Sequence, residues 1–88
     1  MTDQLSSDDV RGADFANPAL GKKGYDPKSV HELLQLAARK LDGRGYLSAE
    51  DVRATTLRTA SLMQRGYDKA EVDTFVDRVV AAIRALDV

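Results

Sequence analysis

Two stretches of the chain repeat apolar residues at helical spacing. Val30, Leu34, Ala37 and Leu41 recur at intervals of four, three and four, with Leu33 widening the stripe. Val72, Val76, Val79, Ile83 and Leu86 follow intervals of four, three, four and three, with Phe75 alongside. Such spacing keeps one face of an α-helix apolar and turns polar residues to the other. It predicts long amphipathic helices over roughly 27–42 and 69–86. The stripes last only about two heptads, so packing within a small bundle is expected rather than a free-standing coiled coil.

Four helix starts are marked. Ser6 and Ser48 have the chemistry of N-caps, and Asp9 and Asp51 stand three residues later, where a capping box needs an acid. Leu5 with Val10, and Leu47 with Val52, have the spacing of a hydrophobic staple across each cap. These features predict two short helices. The same logic recurs at Tyr25-Asp26 and Tyr67-Asp68, where the Asp is expected to cap and the Tyr to staple onto Val30 or Val72. Pro27 takes the first helical position, where a missing N–H costs nothing. Glu71 is placed to complete a capping box with Asp68, and Ser29 does the same only weakly with Asp26. Gly43 supplies a left-handed end to the first long helix. The segments 17–24 and 55–66 read as loops, although Leu57 to Met63 has room for another helical turn.

These signals repeat with a constant offset of 42 positions and no gap. Leu5-Ser6-Ser7-Asp8-Asp9-Val10-Arg11 lies over Leu47-Ser48-Ala49-Glu50-Asp51-Val52-Arg53, and Lys23-Gly24-Tyr25-Asp26 over Arg65-Gly66-Tyr67-Asp68. Each half is near the length below which a chain seldom supports its own core, about 40 residues. Two such halves are expected to bury their apolar faces against each other. The fold class that follows is all-α. It is a small bundle of two tandem helix–loop–helix repeats, each a short helix, a loop and a long helix, related by a pseudo-twofold. The repeats are 5–42 and 47–86, joined by a Gly-rich linker at 43–46, in one domain spanning 1–88.

Composition narrows the chemistry. Thirteen Lys and Arg against fourteen Asp and Glu give a net charge of -1, which argues against a general nucleic-acid binder. The absence of cysteine excludes disulfides and thiolate chemistry, and the single histidine, His31, leaves no His-based metal cluster. No candidate nucleophile and base pair up, so neither an enzyme nor a cofactor is expected. No apolar run approaches the roughly 18–20 residues that span a bilayer. Met1-Thr2-Asp3-Gln4 lacks the layout of a secretory signal, which makes a cytoplasmic location the expectation.

Several residues admit a sharper reading. Asp42-Gly43-Arg44-Gly45-Tyr46-Leu47-Ser48-Ala49-Glu50-Asp51 looks like a calcium loop. Aligning its Gly45 with the loop's glycine, however, puts Lys40 and Arg44 at ligand positions, where cations repel the metal. A linker explains the same letters. Tyr25 and Tyr67 read as staples rather than base-stacking platforms, and Gly24 and Gly66 as turn residues with positive φ. His31 is read as a solvated or partly packed side chain rather than a ligand. The segments before Gly24 and Gly66 carry Leu20, Lys22 and Lys23 in one repeat and Leu62, Met63 and Arg65 in the other. Two readings stand for them: ordinary loops with solvated cations, or a contact in which the apolar residues dip into a membrane interface beside anionic lipid.

The half-pattern Leu-Ser-x-x-Asp-Val-Arg followed by basic-Gly-Tyr-Asp-x-x-x-Val resembles the N-terminal domain of the DivIVA family. Phe15 through Asp26 looks like the actinobacterial version of its loop, and Arg65 through Val76 is similar to it more closely still. The resemblance covers residues 5–41 and 47–84. It points to Gly24, Tyr25, Asp26, Gly66, Tyr67 and Asp68 as the structural motif. The family marks curved or polar membrane in Gram-positive bacteria and recruits growth and division proteins. Its domain is a parallel dimer about the long helices, so two fused copies are implied to imitate that dimer within one chain. The function so implied is a non-enzymatic adaptor or scaffold in polar growth or cell division. It would act through a protein partner and weak peripheral contact with anionic membrane at pole or septum, with self-association left open. The alternative is a soluble protein-interaction module with no membrane role.

Overall fold

The computed structural model describes residues 5–61 and 64–86. Four helices make up the described part: α1 (Ser7–Arg11), α2 (Pro27–Leu41), α3 (Ala49–Ala54) and α4 (Lys69–Leu86). No strand occurs among the described residues, and Tyr25 makes only isolated antiparallel bridges, to Thr59 and to Tyr67. The segment 55–61 carries no helix, so the extra turn allowed by Leu57 to Met63 does not form in its described part.

The short helices start as their sequences dictate. Ser6 Oγ accepts from the Asp9 N–H and Asp9 Oδ2 from the Ser6 N–H, at 3.1 and 3.0 Å. Ser48 and Asp51 repeat the box with both bonds at 3.0 Å. Each box satisfies two N–H groups that a helix end leaves without partners.

The long helices follow their sequence reading only in part. Asp26 occupies the N-cap of α2 but makes no side-chain capping bond. Its carboxylate lies 3.4 Å from the Arg58 guanidinium instead, and Pro27 leaves one fewer N–H to satisfy. Asp68 does cap α4, accepting from the Glu71 N–H at 3.1 Å. Glu71, however, does not close a box with it. The Asp68 N–H is taken by the Ala16 carbonyl at 2.8 Å, and Glu71 Oε1 accepts from the Ala16 N–H at 2.9 Å.

The apolar stripes meet in one core. Val10 of α1 and Val52 of α3 join Val30, Ala37, Val72, Val79 and Ile83 of the long helices, each at most 2 % exposed. Helix α1 packs on α2, α3 on α4, and the long helices on each other. A radius of gyration of 13.2 Å, against about 12 Å expected for this length, marks a compact fold. Leu86, the last member of the second stripe, is 48 % exposed. The offset of 42 pairs Ile83 with Leu41, where α2 ends, so α4 outruns its partner by three residues. No described helix is long and apolar enough to cross a membrane.

Candidate functional site

The two loops leading into the long helices pair through their backbones. Tyr25 and Tyr67 exchange N–H···O=C bonds of 2.9 and 3.0 Å. On one side the Asp26 N–H reaches the Arg58 carbonyl at 2.7 Å, and on the other the Asp68 N–H reaches that of Ala16. The Arg58 N–H donates to Ser29 Oγ at 3.2 Å, as the Ala16 N–H does to Glu71. Every bond here has a counterpart with each partner displaced by 42 positions.

One pair breaks that rule instructively. The Gly24 carbonyl accepts from the Ala60 N–H at 2.8 Å. The position matching Ala60 is Pro18, which has no N–H to offer Gly66. Asn17 fills the vacancy, its Nδ2 donating to the Gly66 carbonyl at 2.9 Å.

Both glycines are required by this pairing, for different reasons. Gly66 has φ +75°, and a Cβ there would lie 2.7 Å from the Tyr25 carbonyl oxygen. Gly24 does not have a positive φ, contrary to the turn reading. It is glycine because a Cβ would collide with the Tyr67 carbonyl.

The tyrosine rings are half-buried against the core, as staples should be. Their hydroxyls find polar partners across the fold: Tyr25 donates to Asp73 Oδ1 at 2.7 Å, and Tyr67 Oη lies 3.0 Å from His31 Nε2. The bond to Asp73, aided by burial and the carboxylate charge, raises the Tyr25 phenol above its ordinary 10.0. Phe15 links the loop to α4, with its ring centroid 5.3 Å from Tyr67 and 5.6 Å from Phe75. The polar partners were not read from the sequence. Position 31 aligned on 73 was the available signal, because both face a tyrosine 42 positions apart.

The loop tips carry the contact candidates. Each tip closes on one turn bond of 3.0 Å, Lys22 N–H to Ala19 carbonyl in one loop and Gln64 N–H to Ser61 carbonyl in the other. Gly21 sits at φ +82° with nothing near it, and Leu20 projects from the turn 93 % exposed. The two tips border one open depression, which Leu20, Lys22, Lys23 and Arg65 line together with Pro18 and Gln64. Among the described residues no carboxylate pairs with these three cations. Leu62 and Met63, singled out with them, lie outside the described residues. The structure thus brings four of the six candidates to one edge of the molecule.

The Asp42 carboxylate is engaged by the Ser7 hydroxyl and, at 2.7 Å, by Arg11 Nη2, which together hold its pKa down at about 2. Comparison of the chain with protein-family models, with curated proteins and with solved structures finds no match.

Proposed function

We propose that this chain is a non-enzymatic, DivIVA-like adaptor of bacterial polar growth or cell division, cytoplasmic and peripheral to the membrane. In this reading its two repeats are related by a pseudo-twofold and stand in for the two subunits of a dimer. The offset-matched bonds around Tyr25 and Tyr67 support that arrangement. The observation that carries the function is the edge where exposed Leu20 stands with Lys22, Lys23 and Arg65.

The energetics suit weak, reversible contact. Complete burial of a leucine contributes roughly 1.5–3 kcal/mol, and dipping into an interface recovers part of that. A cation beside anionic lipid adds about 1 kcal/mol. Salt screens the second contribution and leaves the first.

Co-sedimentation with vesicles tests the reading. The full chain is expected to bind phosphatidylglycerol vesicles at low salt and to leave phosphatidylcholine vesicles in solution. Lys22→Glu with Lys23→Glu, and separately Leu20→Ser, should each release it. Failure to bind anionic vesicles at low salt with lipid in excess removes the membrane role. The chain is then a protein-interaction module, a reading that the exposed Tyr46 and Leu36 favour.

A further inference from the structure

The end of the molecule remote from the loop tips carries a second surface that the fold does not use. Leu36, the first groove residue along α2, stands nine residues beyond Pro27, which at about 1.5 Å per residue is some 14 Å. There Tyr46 stands 88 % exposed and Leu36 39 % exposed, lining one small groove with Leu47. Arg39 and Arg44 line the same groove. A tyrosine held in water and making no hydrogen bond or ring contact does nothing for stability that a smaller polar residue would not do. Tyr and Arg are the side chains that most often anchor protein partners.

The groove is held in shape. The Arg39 carbonyl accepts both the Arg44 N–H at 3.0 Å and the Gly45 N–H at 3.1 Å, folding the chain back over the end of α2. At Gly45 a Cβ would lie 2.7 Å from the Lys40 backbone nitrogen, so glycine alone permits the approach. The backbone leading to Tyr46 is therefore held by the turn, and the ordering cost of binding falls on the side chain.

Charge selects the occupant. Arg39 pairs with no carboxylate among the described residues, and Arg44 reaches only Asp42, at 3.5 Å with its side chain 74 % exposed. Asp42 is already committed to Ser7 and Arg11. The Ala38, Arg39 and Lys40 carbonyls at the end of α2 accept N–H groups of the turn, so neither guanidinium is needed to satisfy them. The nearest acid along this face of α2 is Glu32, one turn before Leu36. At the matching place of the other repeat Leu36 becomes Arg78, so the apolar patch belongs to one repeat only.

We infer that the Leu36–Tyr46 groove docks an acidic segment of a protein partner. The segment sets an aliphatic or aromatic side chain between Leu36 and Tyr46 and its carboxylates on Arg39 and Arg44. This surface is independent of the membrane reading, since it shares no residue with the tips.

Display of random twelve-residue peptides against the immobilised full chain tests the inference. Enriched peptides are expected to carry two or more acids flanking an apolar residue. A synthetic copy of the leading peptide should shift amide resonances of residues 36–47 and bind more weakly as salt rises. Tyr46→Ala, and Arg39→Ala with Arg44→Ala, should each weaken it at least tenfold with an unchanged melting temperature. Enrichment without acidic bias, or affinity unmoved by these variants, overturns the inference. Concentration-dependent dimerisation that Tyr46→Ala abolishes would overturn it too, by giving the groove to a second copy of the chain.

Discussion

Tyr25 and Tyr67 stand 42 positions apart in sequence and exchange reciprocal backbone hydrogen bonds of 2.9 and 3.0 Å. Each tyrosine immediately precedes the Asp at the start of a long helix, so this one pair joins the two long elements at their origins. It also fixes where the loop tips lie, because each tip precedes its tyrosine by a few residues. The presentation of Leu20 beside Arg65 thus depends on a contact made by neither.

The glycines beside this pair should be its most sensitive positions. Gly24→Ala and Gly66→Ala each force a Cβ against the backbone of the opposite loop. A loss of about 2–3 kcal/mol is expected for each, high in the range for single substitutions. Gly21→Ala has open space and only its φ of +82° to accommodate, so about 1–2 kcal/mol is expected there. Urea unfolding of the three variants checks the order, and an equal loss at all three would contradict the close-approach argument.

The four helix starts should respond unequally. Ser6→Ala, Ser48→Ala and Asp68→Ala each remove a side-chain cap and should cost about 1 kcal/mol. Asp26→Ala removes no cap but breaks an ion pair in which the Asp26 side chain is only 16 % exposed. The Arg58 side chain it leaves behind is 66 % exposed and can be solvated, so about 1 kcal/mol is expected. The losses at Asp26 and Asp68, which remove a charge, should shrink as salt is added, and those at Ser6 and Ser48 should not. Thermal melts at low and high ionic strength distinguish the two behaviours.

What the sequence disclosed and what it hid divide by the span of the interaction. The boxes at Ser6 and Ser48 are legible because both partners lie within one helical turn. The stripes of α2 and α4 are legible because burial recurs with the helical period. Glu71 has the right spacing for a box with Asp68, yet bonds Ala16, 55 residues away, because the opposite loop takes the N–H it would have used. Gly24 and Gly66 each stand between a basic residue and Tyr-Asp yet differ in φ, and the need for glycine at 24 comes from a neighbour across the fold. The exposure of Leu86 follows from the length of α2, which no pattern within α4 records.

Acid should loosen the contact between α1 and the end of α2. Folded Asp42 keeps its proton off down to about pH 2, because the Ser7 hydroxyl and the Arg11 guanidinium favour its charged form. In the unfolded chain the same carboxyl takes up a proton near its ordinary 3.8. Between those values the unfolded state binds more protons, so stability falls as pH drops from about 4 to 2. Asp9 and Asp51, lowered by their bonds to Ser6 and Ser48, act in the same direction. The melting temperature of Asp42→Asn should start lower at neutral pH and decline less over that window. Parallel declines in variant and parent would show that Asp42 is not a contributor.

Separating the halves should separate folding from sequence. A fragment of residues 1–43 retains α1 and α2 but loses the Tyr67, Arg58 and Glu71 groups that bond its loop, together with the apolar face of α4. At about 40 residues neither fragment buries enough surface to offset its conformational entropy. Far-UV circular dichroism of 1–43 and of 44–88 alone should therefore show little helix and no cooperative melt at micromolar concentration. Mixing them at equal concentration should restore both, because every bond around Tyr25 and Tyr67 forms between the halves without needing the linker. The recovered melt should rise with concentration, as two-body association requires. A cooperative, concentration-independent melt from 1–43 alone would show that its core is self-sufficient, and the mutual dependence of the halves would be refuted.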